Sequence, residues 1–157
     1  MDCAYNTLQS NKFLFRLDRI PETSFFVTEA EIPSISIPMI DSPYQGDSTN
    51  SYPGSSISYD TMSIRFQVDE NMSNWLEIYN WMHAIAYDRR DTTDLAKQYV
   101  SDAFMSTLTN NSNVNVKLKF TDCYPISMGQ ISFSTQEEAA PVFCSLTLAY
   151  TRYYVEP

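Results

Sequence analysis

The densest mix of reactive side chains in this sequence is FTDCYPISMGQISF, residues 120–133, which sets an acid, a thiol, a phenol and a hydroxyl within eight positions. A cysteine acts as a nucleophile only when a neighbouring base or cation lowers its pKa. None stands beside Cys123, which reads instead as a small buried hydrophobe. His83 is the single histidine, so any triad must use it, and it sits between Met82 and Ala84 in an apolar helical segment. No second histidine and no acid at i+3 or i+4 shares its face, so a metal site cannot be built around it. Asp88, Asp91 and Asp94 recur every three residues but mingle with Arg89 and Arg90, and they lack the Gly-centred order of a calcium loop. With three glycines in the chain there is no dinucleotide fingerprint, no phosphate loop and no nucleophile elbow, all of which need backbone in unusual conformations. No catalytic residue, metal, cofactor or small-molecule substrate is expected.

The same stretch has a structural reading. Alternation enters through VKLKF and leaves through ISFS, with the turn formers Pro125 and Gly129 between, so a strand, a bend and a strand are expected. Cys3, Cys123 and Cys144 are odd in number and lack zinc or redox spacing, which suits reduced thiols in a cytosolic, soluble protein without a disulfide.

The 157 residues suffice for one packed domain, 1–157. No apolar run reaches the ~20 residues of a membrane helix, and no leader pattern opens the chain, so no membrane partner is expected. The formal charge is −9, unevenly placed: no Lys or Arg lies between Arg19 and Arg65, while Glu22, Glu29, Glu31, Asp41, Asp47 and Asp60 do. Nucleic-acid affinity comes mainly from cations that displace counterions, so specific DNA or RNA binding is not expected.

Two-residue periodicity dominates. MSIRFQV sets Met62, Ile64, Phe66 and Val68 on one face, VNVKLKF does the same with Val114, Val116, Leu118 and Phe120, and CSLTLAY with Cys144, Leu146, Leu148 and Tyr150. KFLFRLD places Phe13, Phe15 and Leu17 together, while SFFVTEAEI and SISIPM are weaker candidates, the latter pushed to an edge by Pro33 and Pro38. NWLEIYNWMHAIAY breaks the rhythm: Trp75, Ile78, Tyr79, Met82, Ile85 and Ala86 form a helical stripe that should cover the sheet, with Asn74 and Glu77 spaced as a cap. A second helix is expected over TTDLAKQYVSDAFMSTL from the four-residue spacing of Ala96, Val100, Phe104 and Leu108. The sum is a mainly β fold, an antiparallel sandwich or barrel of about seven strands with one or two flanking helices. Residues 41–56, DSPYQGDSTNSYPGSS, have no periodicity and exceed a hairpin turn, which marks a long functional loop.

In order, NKFLFRLD, AEIPSISIP, a long loop, YDTMSIRFQVDENMSNWLEIYNWMHAI, CYPISMGQISFS and FCSLTLAYTRYYV resemble the tail tube proteins of contractile-tailed bacteriophages over roughly residues 12–155. The resemblance implies a β-sandwich or barrel with a flanking helix. It also implies a homo-hexameric ring, and rings stacked into a tube through which DNA leaves the capsid. It further implies sheath and baseplate partners and a place in the virion tail, assembled in the host cytoplasm. Baseplate tube proteins and type VI secretion tube rings share that fold, so a ring that starts or caps the tube is an alternative, and a small monomeric binding module is another. On the tube reading, the loop residues Tyr44, Gly46, Asp47, Tyr52, Pro53 and Gly54 stack rings. Glu22, Glu29, Glu31 and Asp60 are candidates to line an acidic channel, and Trp75, Ile78, Tyr79 and Met82 anchor the helix in the core. The Ser- and Tyr-rich loop lacks the basic residues of a typical tube protein.

Overall fold

The computed structural model describes residues 6–21, 23, 26–42, 50–87 and 99–156. Runs that alternate apolar and polar residues become strands: β1 (Phe13–Leu17), β2 (Val27–Ala30), β7 (Met62–Gln67), β8 (Ser101–Leu108), β9 (Val114–Met128), β10 (Phe143–Ala149) and β11 (Arg152–Glu156). These form one antiparallel sheet in the order β1-β8-β9-β10-β7-β2, with β11 also paired to β9. Between β2 and β7 the chain makes two small ladders, β3 (Ile35–Ser36) with β6 (Ser58–Tyr59) and β4 (Met39–Ser42) with β5 (Asn50–Pro53). The helix α1 (Ser73–Tyr87) follows β7.

The long strand β9 joins the two halves of the sheet. Lys117–Thr121 pair with β11 on one side while the same region pairs with β8 on the other, and Tyr124–Met128 pair with β10. Between these regions β9 carries an extra residue against β8, where Asp122 takes a φ of 56°, and another against β10 at Ile126. Each extra residue kinks and twists the strand. Pro125, which has no N–H for the ladder, sits next to the second bulge and is buried. The two halves then share one core: Phe15, Leu17, Ala103, Met105, Leu118 and Phe120 from the first, Met62, Ile64, Phe66, Cys144, Leu146 and Leu148 from the second, with Ile78 and Trp81 from the helix.

Three local expectations are corrected. The bend expected at Pro125 is not a turn: β9 runs through it to Met128, and residues 131–134 form no strand. Backbone bulges absorb the change of direction that Pro and Gly composition attributed to a bend. Gly129 instead lets two backbones close up, its N–H donating to the Ser145 carbonyl at 2.7 Å, where a Cβ would run into the Ser145 side chain. The second helix is overturned over residues 101–108, which form β8 with Ala103, Met105 and Thr107 inward. Phe104 and Leu108, counted toward a helical stripe, lie on the opposite face of the strand from those residues. Residues 92–98 of that segment, Asp94 among them, lie outside the described residues, as do Asp88 and Asp91 before it.

The third correction concerns α1. The side chains it buries are Asn74, Ile78 and Trp81; Trp75 and Met82 pack against the core half-buried, whereas Tyr79 is 40% exposed. Trp81 reaches the core because its indole N–H finds an acceptor there, the Tyr99 carbonyl at 2.7 Å. The cap is also different. The Asp69 carboxylate accepts the Asn74 N–H at 3.3 Å and the Ser73 hydroxyl, and the Asp69 N–H donates back to Asn74 Oδ1 at 3.3 Å. Asn74 Nδ2 also donates to the Gln67 carbonyl at 2.8 Å, which ties the helix start to the end of β7. The Ser73 hydroxyl bond is the main cause that holds the Asp69 carboxyl below its ordinary range.

Candidate assembly surface

The segment expected as a loop over 41–56 is partly a strand pair. Met39 faces Pro53, Ile40 faces Tyr52, Asp41 faces Ser51 and Ser42 faces Asn50, so β4 and β5 make a hairpin arm beyond the β3–β6 ladder. Period-two alternation is weak here because Pro38 and Pro53 interrupt it and β5, NSYP, has one large apolar side chain, Tyr52. Gly54 closes the arm's base: its N–H donates to the Pro38 carbonyl at 2.7 Å, and a Cβ would lie 2.7 Å from that oxygen. The Ser51 hydroxyl donates to the Asp41 carboxylate at 2.7 Å.

Every residue of β4 and β5 is exposed, and many are apolar. Ile32, Ile35, Ile37, Met39, Ile40 and Tyr52 are each about half exposed or more, with Met39 at 70%. A two-stranded hairpin is marginal in water by itself, and contiguous exposed apolar residues mark interaction surfaces. The sequence signal was present in IPSISIPMI, which offers isoleucines and a methionine with no charged face, yet the expectation fixed on the tyrosines and glycines nearby.

Of the loop residues singled out from sequence, Tyr52, Pro53 and Gly54 lie on the arm, whereas Tyr44, Gly46 and Asp47 lie outside the described residues. Of the candidate channel acids, Glu22 lies outside them too. Glu29 pairs with Arg65 at 3.3 Å, Glu31 donates its N–H to the Ser63 carbonyl at 3.1 Å, and the Asp60 carboxylate accepts the Ser34 hydroxyl. The structure therefore spreads these acids between the edge strand and the arm root.

The cations gather elsewhere. On the outward face of the first half-sheet, Arg16 meets Asp18 at 3.1 Å, Lys117 meets Glu156 at 3.2 Å and Lys119 meets Asp102 at 3.1 Å, with both lysine ammoniums over the Phe104 ring. The hydrogen bond and charge of Asp102 hold the Lys119 pKa above its ordinary value. Cys123 and Cys144 are free thiols in the core; burial pushes Cys123 up to about 12 and raises Cys144 as well, which leaves both as poor nucleophiles. His83 is exposed on α1, its ring 4.3 Å from that of Tyr79 and 5.2 Å from that of Tyr87. Among the described residues no three His, Cys, Asp or Glu side chains gather as a metal site, and no helix is long and apolar enough to cross a membrane.

Comparison with known proteins gives this geometry a context. The chain is 26% identical over 162 residues to the tail tube terminator protein of Enterobacteria phage T4, covering 97% of this chain and 90% of that protein. In fold it is similar to the sheath/tube terminator of the extracellular contractile injection system PVC, with a TM-score of 0.71 at 15% identity over 98% of this chain and 99% of the other. It is equally similar to the tube terminating cap of the anti-feeding prophage, with a TM-score of 0.71 at 15% identity over 99% of this chain and 95% of that one. The family model described as phage tail tube protein matches residues 5–156. With that match spanning the described fold from before β1 to the end of β11, the chain belongs to the phage tail tube protein family.

Proposed function

We propose that this chain is a tail tube terminator, a ring of copies that sits on the end of a phage tail tube and closes its growth. The single observation that carries the reading is its near full-length similarity to the terminator of phage T4. The apolar arm supports it. A hairpin exposed on all sides suits a second copy of the same chain, because head-to-tail contact between one copy's arm and the next copy's body closes a ring. Among the described residues β1 pairs only with β8 and β11 only with β9, so strands at the margin of the first half-sheet suit the same purpose. In such a ring, assembled in the host cytoplasm as a homo-hexamer, DNA would pass without specific binding, in keeping with the formal charge of −9. Sheath and tube subunits would be its neighbours in the tail.

The alternative within the family is the main tube, whose rings repeat. Electron microscopy of the purified chain over a concentration series separates the two. Single rings that do not lengthen, and that halt growth when added to a polymerising tube protein, support the terminator. Long tubes from this chain alone would assign it to the main tube, and a chain that stays monomeric throughout would sink both.

A further inference from the structure

The arm is fastened to the body by two tyrosines that lie outside it. The Tyr150 hydroxyl donates to the Asp60 carbonyl at 2.6 Å, and the Tyr153 hydroxyl donates to the Pro33 carbonyl at 3.2 Å. Pro33 precedes β3 and Asp60 follows β6, so the two bonds grip both strands where they leave the body. The two strands are also tied to each other there, Asp60 N–H donating to the Ser34 carbonyl at 3.1 Å and the Ser34 hydroxyl to the Asp60 carboxylate. Tyr59 of β6 lies edge-on to both anchoring rings, at 6.2 Å from Tyr150 and 5.4 Å from Tyr153. Behind them Phe120, fully buried in β9, packs at 5.2 Å from Tyr150 and 5.1 Å from Tyr153.

The anchoring rings flank the corner between β10 and β11, and that corner is itself held. Thr151 donates its N–H to the Thr121 carbonyl at 3.0 Å and its hydroxyl to the Asp122 carboxylate at 3.3 Å, at the bulge where β9 passes between the half-sheets. Bonded groups therefore run from the β9 bulge between the half-sheets to the root of the exposed arm. Beyond the root, the strands of the arm are exposed throughout. Its direction must accordingly be set at the root.

We propose that Tyr150 and Tyr153 are positioning residues for assembly: their hydroxyls hold the arm at a fixed angle to the body, so that it meets the neighbouring copy already oriented. This rests on the arm-mediated ring proposed above. Ordering a swinging arm at the moment of contact would cost conformational entropy, which a preset arm has already surrendered on folding.

The test replaces Tyr150→Phe and Tyr153→Phe, singly and together, which keeps both rings in the aromatic cluster and removes only the hydroxyls. Hydrogen exchange of the Asp60 and Gly54 amides should quicken roughly 5-fold for each hydroxyl lost, the scale of one net hydrogen bond, while amides of β7 and β10 keep their protection. The concentration at which half the chain enters rings should rise by at least that factor in the double variant. A double variant that forms rings at the wild-type concentration with unchanged exchange at Asp60 overturns the inference. A control with Met39–Pro53 replaced by Asn-Gly separates the two levels. If that chain still forms rings, the arm-mediated assembly itself is wrong. If it fails while the double variant matches wild type, only the anchoring role falls.

Discussion

The arm β4–β5 and the pair β7–β10 are both short antiparallel ladders with apolar side chains, and they end in opposite environments. In β7–β10, Met62, Ile64, Phe66, Cys144, Leu146 and Leu148 are at most 1% exposed, while Ser63, Arg65, Ser145 and Thr147 occupy the other face. In the arm, Met39, Ile40 and Tyr52 are exposed without any such partition. Apolar content alone does not make a core. A strand pair is buried when its apolar face meets a second layer, here supplied by the other half-sheet and α1. Among the described residues the arm has no such layer, which is the physical reason to look for it on another copy.

The comparison breaks most sharply at the buried end. Phe66→Ala should cost ~3–5 kcal/mol in chemical denaturation, because the core cannot collapse fully around the void. A cost below about 1 kcal/mol would mean that the shared core is wrongly assigned. The helix gives a graded version: Trp81→Ala, which also orphans the Tyr99 carbonyl, should cost ~3–5 kcal/mol, and Trp75→Ala on the half-buried flank ~1–2 kcal/mol. Reversal of that order would restore the stripe expected from sequence.

Two titrations sharpen the contrast between buried and exposed groups. The folded pKa of Cys123 is raised from 9.0 to about 12 by burial, so its contribution is fully present below pH 9 and is lost as the pH climbs through the folded value. The native chain should leave Cys123 unlabelled by a thiol reagent at pH 8 and release it on unfolding; rapid native labelling would contradict its burial. Asp69 is the opposite case. Its folded pKa is depressed below 3.8, so the cap stabilises above that pH and the contribution disappears as the pH falls through the folded value. Asp69→Asn should therefore lower the thermal midpoint at pH 7, with the gap to wild type narrowing in acid. The smallest expected change in stability is at the arm, where Met39→Ser with Ile40→Ser should shift unfolding by about 0.5 kcal/mol or less while ring formation is lost. Unaltered rings would remove the arm from the assembly surface.

How much could be read beforehand depended on how much of each signal was local. MSIRFQV and CSLTLAY announce strands because each residue's side is dictated by its neighbours at a period of two. SDAFMSTL does not, since Ala103 and Thr107 are weak apolar markers and Phe104 points outward over Lys117 and Lys119. Pro125 and Gly129 suggested a turn from composition, but whether a proline interrupts a strand depends on its partner's register, and β9 accommodates it with a bulge against β10. The arm was legible as an unusual segment and illegible as a hairpin. The anchors Tyr150 and Tyr153 were invisible as such, because their acceptors lie 90 and 120 residues away.

Local periodicity and residue order suffice for the mainly β class, the position of one helix, the uneven charge and the resemblance that the family match bears out. Which tryptophan enters the core, where β9 crosses from one half-sheet to the other, and how the arm is held follow from the folded chain alone. Each of those is settled by whether a distant group can satisfy a donor, fill a void or cover a face, and such partners are brought together only when the whole sheet has folded.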